Sequence, residues 1–370
     1  MYTANAIDIV IPSFRLDEQI LLGIFNVDHP VDLKLNFYLV ADNPNLTVPP
    51  SIVSLAQSGQ LNLVINDVNI GFSETRNKGI RLGNSKWLLL LDDDIVPEKG
   101  LITAYAEAIK KHPQAIGFAG VTNFPPPFNT VTTAMEMNGM TGHFKLANKE
   151  EELMWVPTAN VMLNRDKMDN ALFNESLKKG GEDIEFLVRN VTIFKEKYLA
   201  VPNARVEHPW WDGGNLQTGR IFRYGAGAAQ IAGLPSIINY TYHDFTNTAE
   251  TLLLLFLSFP ILTFVYSWQL PAELILVILG AEFLTNFIKS YYFSKKFSVI
   301  LPVYLLWLKN CYELGYLIEN LSAGRIRGFG ERIDMGFSKK NHEIDETKIV
   351  SRTTNDASNI RDPCNSGTYW

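Results

Sequence analysis

The chain has 370 residues, enough for one sizeable core and an appendage, since a domain usually takes about 100–200 residues. Its 33 Lys and Arg against 39 Asp and Glu give a formal charge of −6, which argues against a nucleic-acid partner, because such binders carry a basic face. The two cysteines, Cys311 and Cys364, are too few and too far apart for a disulfide framework or a thiolate metal site and point to a reducing compartment.

The first residues, MYTANAIDIVIPSF, lack the basic and long apolar regions of an export signal, so the N-terminal part is expected not to be exported. Runs of β-forming residues at 7–11, 35–40, 61–65, 87–91 and 116–121 alternate with helical patterns, the signature of an α/β unit with a mainly parallel sheet. Between the third and fourth runs, GFSETRNKGIRLG predicts a helix opened by Gly71 and closed by Gly83. Ligands of such sheets bind outside the carboxyl ends of the strands. FPPPF at 124–128 marks a rigid surface loop.

The fourth run ends in three carboxylates, WLLLLDDDIVPEKG. Like charges this close raise one another's pKa, so a cation or donor is expected among Asp92, Asp93 and Asp94. A divalent-metal site, a helix N-cap with surplus acid and an acid/base pair are the three readings. Spacing favours the metal: in extended geometry Asp92 and Asp94 point to one face, where they can share a cation or divide between metal and sugar hydroxyl. The cap alternative rests on Pro97, which could start a helix.

The order VIPSF, NIGFSETRNKGI, LLLLDDDIVP and FNESLKKGGEDIEFLVR resembles the family 2 glycosyltransferases of the GT-A fold over about residues 6–232. The resemblance implies an α/β catalytic domain with a Rossmann-like, mainly parallel mixed sheet. It implies a nucleotide-diphosphate sugar donor held through Mg²⁺ or Mn²⁺, with Asp94 as main metal ligand and Asp92 or Asp93 on the ribose. Pro12 of VIPSF falls among the donor-binding positions. Asp42 in FYLVAD matches the position that holds the nucleobase edge, although the paired acid usual there is absent. Arg76 and Asn77 fall in the matching RN.G segment. A guanidinium fork suits pyrophosphate, but Arg76 could equally pair with a surface acid.

The second acidic pair, Glu182–Asp183, follows Gly180–Gly181 and precedes a helical pattern. Acids at a helix start are favoured by the macrodipole alone. The chemical alternative is a base that accepts the acceptor's proton during transfer with inversion; Asp183 matches the family's base and Glu182 its neighbour. His208 in ARVEHPWW resembles an occasional third metal ligand, and a lone histidine also serves packing. Trp210 and Trp211 offer faces for sugars or for a core. In RIFRYGAGAA, Arg220 or Arg223 could stabilise the departing diphosphate, while Gly225 and Gly227 permit close packing.

From 251 to 290 only Glu273, Glu282 and Lys289 are charged, and two helices of about 18 residues fit, at 252–268 and 271–288. The stretch is apolar all round, which favours a membrane hairpin over buried core helices. Lys289, Lys295, Lys296, Arg325, Arg327, Arg332, Lys339 and Lys340 follow the second run, while the link between the runs has no Lys or Arg. Both termini are therefore expected at the cytoplasmic face of a membrane, such as the bacterial inner membrane. A third run, 297–321, carries Lys309, Glu313 and Glu319 and is expected along the interface or on the hairpin.

The expected organisation is a catalytic domain at 1–245, a hairpin plus interfacial helix at 250–322 and a polar tail at 323–370, mobile from Asn341 onward. A membrane anchor makes a lipid-linked saccharide the expected acceptor, since it concentrates enzyme and acceptor in one plane. A nucleotidyltransferase would usually carry a Gly-rich basic loop where this chain has IPSFRLDEQ. A catalytically silent scaffold would have no need of Asp92, Asp94, Glu182 and Asp183 together.

Overall fold

The computed structural model describes residues 3–244 and 247–337. The strands are β1 (Thr3–Ser13), β2 (Lys34–Ala41), β3 (Leu61–Ile65), β4 (Ser85–Leu91), β5 (Val96–Pro97), β6 (Gly117–Asn123), β7 (Glu152–Leu153), β8 (Asn160–Asn164), β9 (Tyr198–Glu207), β10 (Thr241–His243) and β11 (Glu331–Ile333). The helices are α1 (Glu18–Phe25), α2 (Pro50–Gln57), α3 (Phe72–Leu82), α4 (Leu101–Lys111), α5 (Thr130–Met137), α6 (Glu182–Phe194), α7 (Thr218–Ala232), α8 (Thr248–Val265), α9 (Gln269–Ser294) and α10 (Ile300–Ser322).

The main sheet runs β3-β2-β1-β4-β8-β6-β9-β5, with β7 also on β9. β3, β2, β1 and β4 are mutually parallel, and β8 lies antiparallel between β4 and β6. Apolar residues fill both faces: Ile7, Ile9, Ile11, Leu89 and Leu91 go to one core, Val10, Leu88, Leu90 and Val161 to the other. Such two-sided burial explains the unbroken run WLLLL. α3 is bounded by Gly71 and Gly83, and it lies so close to β1 that a Cβ on Gly79 would stand 2.5 Å from Val10 Cγ1.

α10 touches the hairpin, as one of its two expected placements has it, but its main packing lies elsewhere. It packs chiefly on α7 and α5 of the α/β domain, with the hairpin as a lesser neighbour. Two glycines make this possible: a Cβ on Gly225 would lie 1.9 Å from the Tyr312 carbonyl oxygen, and one on Gly315 2.0 Å from that of Phe222. The helices therefore meet backbone to backbone, burying Ile221, Ala226, Ala229, Leu308 and Tyr316. Gly225→Ala overpacks this seam and should cost about 1–3 kcal/mol, read as a fall in unfolding temperature. An unchanged temperature would show that the helices can separate freely.

The segment after α10 also departs from the tail expected from residue 323. β11 pairs antiparallel with β10, Trp155 Nε1 donates to the Met335 carbonyl, and Phe337 is buried against the core. Two strands of only three residues each are too short to give a periodic signal in sequence. The mobile tail expected from Asn341 lies outside the described residues.

α8 and α9 are each long and apolar enough to cross a membrane, and little of either is buried within the protein. Phe256, Leu257, Phe264, Leu276 and Val277 are all exposed. Glu282 of α9 is turned to α10, where it accepts from Lys309 Nζ at 2.9 Å and Asn310 Nδ2 at 3.1 Å. The helices run from Thr248 to Val265 and from Gln269 to Ser294, the second longer than expected. Because α10 packs on the α/β domain, removing the hairpin alone, residues 248–298 replaced by a flexible linker, should leave a domain that folds and needs no detergent. A truncation at about residue 240 would instead strip α7 of its partner. A hairpin-deleted chain that stays with the membrane would refute the attachment.

Candidate active site

Pro12, Asp42 and Asp92–Asp94 stand at the carboxyl ends of the parallel strands β1, β2 and β4, where an open sheet offers its crevice. The chain turns at Asp93–Asp94, so Asp92 and Asp94 do not share one face as extended geometry would have it. The three carboxylates separate into three environments.

Asp93 anchors the loop after β1. Its Oδ2 accepts from Ser13 Oγ at 2.8 Å and from the backbone N–H groups of Phe14 and Arg15, each at 3.1 Å. Asp94 Oδ2 pairs with Arg15 Nη2, while its Oδ1 lies 3.3 Å from His208 Nε2. Burial first, then Asp92 and Asp93, hold the Asp94 carboxyl above its ordinary range against the pull of His208 and Arg15. Asp92, the most exposed, accepts from Arg76 Nη2 at 3.2 Å.

Arg76 is the tie between distant parts of the chain. Its Nη1 donates to Glu182 Oε1 at 2.8 Å, so one guanidinium joins the end of β4 to the start of α6. Burial works against its charge, but Asp92, Glu182 and Asp183 outweigh it and hold its pKa above the ordinary value. Its buried Nε has no hydrogen-bond partner among the described residues.

Gly180 and Gly181 turn into α6 with φ of 113° and 86°, in the left-handed region that glycine tolerates best. They are held from behind by α7: a Cβ on Gly227 would lie 2.5 Å from the Gly180 carbonyl oxygen. This tight turn sets Glu182 and Asp183 at the helix start. Burial raises the Glu182 pKa, opposed by Arg76. Asp183 is half-buried and accepts from the Ile184 N–H at 2.8 Å. Burial, then the neighbouring Glu182, push its carboxyl up to about 7, with Arg76 opposing.

Other expected site residues serve the frame. Asp42 accepts from Asn66 Nδ2 and from the N–H groups of Ile70 and Gly71, shaping the loop before α3. Asn77 is fully buried and exchanges hydrogen bonds with the Phe173 backbone, also donating to Glu175 Oε1 at 2.9 Å. Trp210 and Trp211 are buried in a cluster with Phe124, Phe144 and His208. Phe124 thus makes the FPPPF stretch only partly a surface loop. Arg220 stacks over Trp211 at 5.6 Å and donates to the Tyr224 hydroxyl; Arg223 is exposed. Arg15 was not singled out in the sequence, although it is the single basic residue in IPSFRLDEQ, beside acids that required a cation.

Mg²⁺ or Mn²⁺ fits this donor set in part. His208 Nδ1 lies 2.6 Å from the Pro209 carbonyl and donates to it, so Nε2 is the ring nitrogen that faces the Asp94 oxygen at 3.3 Å. An imidazole nitrogen beside a carboxylate oxygen offers two ligand types that such cations accept, and they complete their shell with phosphate oxygens and water. Among the described residues no three His, Cys, Asp or Glu side chains are grouped to hold a metal alone.

Residues 31–173 match the family described as Glycosyl transferase family 2. The match covers less than half of the chain. The matched stretch includes Asp42, Arg76 and Asp92–Asp94, whereas Glu182, Asp183 and His208 lie beyond it. The mannosyltransferase PcManGT from Pyrobaculum calidifontis, solved with GDP-Man and Mn²⁺, is 14% identical with a TM-score of 0.50, over 86% of this chain and 88% of that one. It shares the GT-A fold. S. aureus TarS is 15% identical with a TM-score of 0.42, over 62% of this chain. GalNAc-T7, solved with UDP, GalNAc and Mn²⁺, is 13% identical with a TM-score of 0.46, over 63%. The chain spans 40% of that TarS structure and 52% of GalNAc-T7. No curated protein matches the chain in sequence.

Proposed function

We propose that this protein is a metal-dependent, inverting glycosyltransferase, moving a sugar from a nucleotide-diphosphate sugar to a hydroxyl of a lipid-linked saccharide at the cytoplasmic face of a membrane, in glycan or polysaccharide assembly. The observation that carries it is the Arg76 bridge, which gathers Asp92 and Glu182–Asp183 into one cleft from points about ninety residues apart.

Asp94 and His208 would hold the cation, with Asp92 beside it. When bound, the cation neutralises the departing diphosphate, so no acid need protonate it. Asp183 takes the acceptor's proton while the acceptor oxygen bonds to the anomeric carbon and the bond from that carbon to the diphosphate breaks. A carboxyl poised near 7 suits this work, because a base is most effective with its pKa near the operating pH. Arg76 keeps Glu182 paired and turned from the reacting atoms. Asp93 and Asp42 fix the two loops that flank the donor, and Arg220 lies within the domain's aromatic corner as a charge for the leaving group.

The lipid-linked acceptor is supported by α8 and α9 and by an open groove of about 430 Å³ lined by Leu216, Phe283, Ile300, Val303, Tyr304 and Trp307. Trp307 Nε1 donates to Thr218 Oγ1 at the start of α7, two residues before Arg220, so the groove adjoins the catalytic side. The stereochemical claim is tested by the NMR anomeric coupling of the transferred sugar. Configuration opposite to the donor is expected; retention would refute a single-base displacement.

A further inference from the structure

We infer that Arg15 is a built-in competitor for the divalent cation: its guanidinium pairs with the Asp94 carboxylate and must move aside for a cation to bind there. The inference rests on the proposed role of Asp94 as a metal ligand.

Asp93 and Asp94 are 6% and 8% exposed, and buried carboxylates this close demand a positive partner. Arg15 supplies it, with Nη2 on Asp94 Oδ2 and 3.3 Å from Asp93 Oδ1. His208 is on the opposite oxygen of Asp94. A cation held by Asp94 and His208 would stand beside the guanidinium, and the two positive charges repel. The geometry allows the exchange. The backbone at Arg15 is fastened by Asp93, whereas the side chain is 50% exposed and free to swing outward.

The consequence is a metal affinity reduced by the fraction of molecules in which Arg15 covers Asp94. Once displaced, the guanidinium fork remains tethered at the end of β1, suited to an anionic diphosphate. Metal and nucleotide would then assist one another's binding, each repaying part of the displacement.

The test is calorimetric titration of the full chain in detergent with MnCl₂ alone, for the wild type and Arg15→Gln. The variant should bind Mn²⁺ tighter by about tenfold, the gain expected if about one molecule in ten has Asp94 uncovered. The gain should persist in 1 M KCl, where the Debye length is about 3 Å and a mere distant field would be screened. Equal or weaker Mn²⁺ binding by the variant, or a gain that vanishes in salt, overturns the inference while leaving the metal site standing. Failure of both proteins to bind Mn²⁺ overturns the inference and the metal site together.

Discussion

Asp183→Asn is expected to lower kcat by roughly 10²-fold or more, with donor affinity little changed, because the amide keeps the size of the side chain but cannot accept the acceptor's proton. Near-normal transfer, or a defect confined to donor binding, would move the base elsewhere, with Glu182 the first candidate. In the wild type the rate should rise with pH and level off above about 7, as the Asp183 carboxyl loses its proton. Glu182→Gln should act differently. Glu182 is one of the groups that raise Asp183, so its neutralisation should shift the rising limb to lower pH.

Stability gives a second, activity-free check of the same carboxyl. A group whose folded pKa lies above its unfolded value binds its proton more tightly when folded, so its contribution is lost as pH rises toward 7. Asp183→Asn removes that penalty. Its unfolding temperature relative to the wild type should therefore be higher at pH 8 than at pH 5. An identical difference at both values would mean that the side chain is not held protonated by its surroundings.

Asp94→Ala is the second large effect: it should abolish metal-dependent donor binding while leaving the fold intact. The residue caps a strand end and accepts no backbone hydrogen bond among those described, so its loss disturbs the cation and Arg15 but not the sheet. Asp93→Ala, one position away, should do the reverse in part. It removes the acceptor of three loop hydrogen bonds and should destabilise by about 1–3 kcal/mol, read in thermal unfolding. Calorimetry of Asp94→Ala showing unchanged nucleotide-sugar affinity, with and without EDTA, would sink the assignment.

Much of this was legible because it is local. The apolar run into Asp92–Asp94, the glycine-bounded helix at 72–82 and the Gly180–Gly181 turn each carry their signal within a dozen residues. β8 does not: NVMLN shows neither alternation nor a turn partner, and its antiparallel place between β4 and β6 depends on strands distant in sequence. The packing of α10 on α7 was not legible, because apolar content alone cannot say whether lipid or another helix covers it. Only its reciprocal glycine seam with α7 decides that. Within the site, the acids could be named, but not their division of labour. The turn at Asp93–Asp94 sends one carboxylate to the β1 loop, one to Arg15 and His208, and one to Arg76, a partition set by three-dimensional neighbours.

The central claim is metal-dependent use of a nucleotide sugar by this one cleft, and the most direct measurement is release of nucleoside diphosphate. The full chain in native-like lipid, stripped with EDTA, would be offered a panel of UDP- and GDP-sugars with an extract of membrane lipids as acceptor. One donor class should yield nucleoside diphosphate when Mn²⁺ or Mg²⁺ is restored, and lose that yield in the Asp94→Ala and Asp183→Asn chains. Release that is equal in EDTA, or that survives both substitutions, would contradict it.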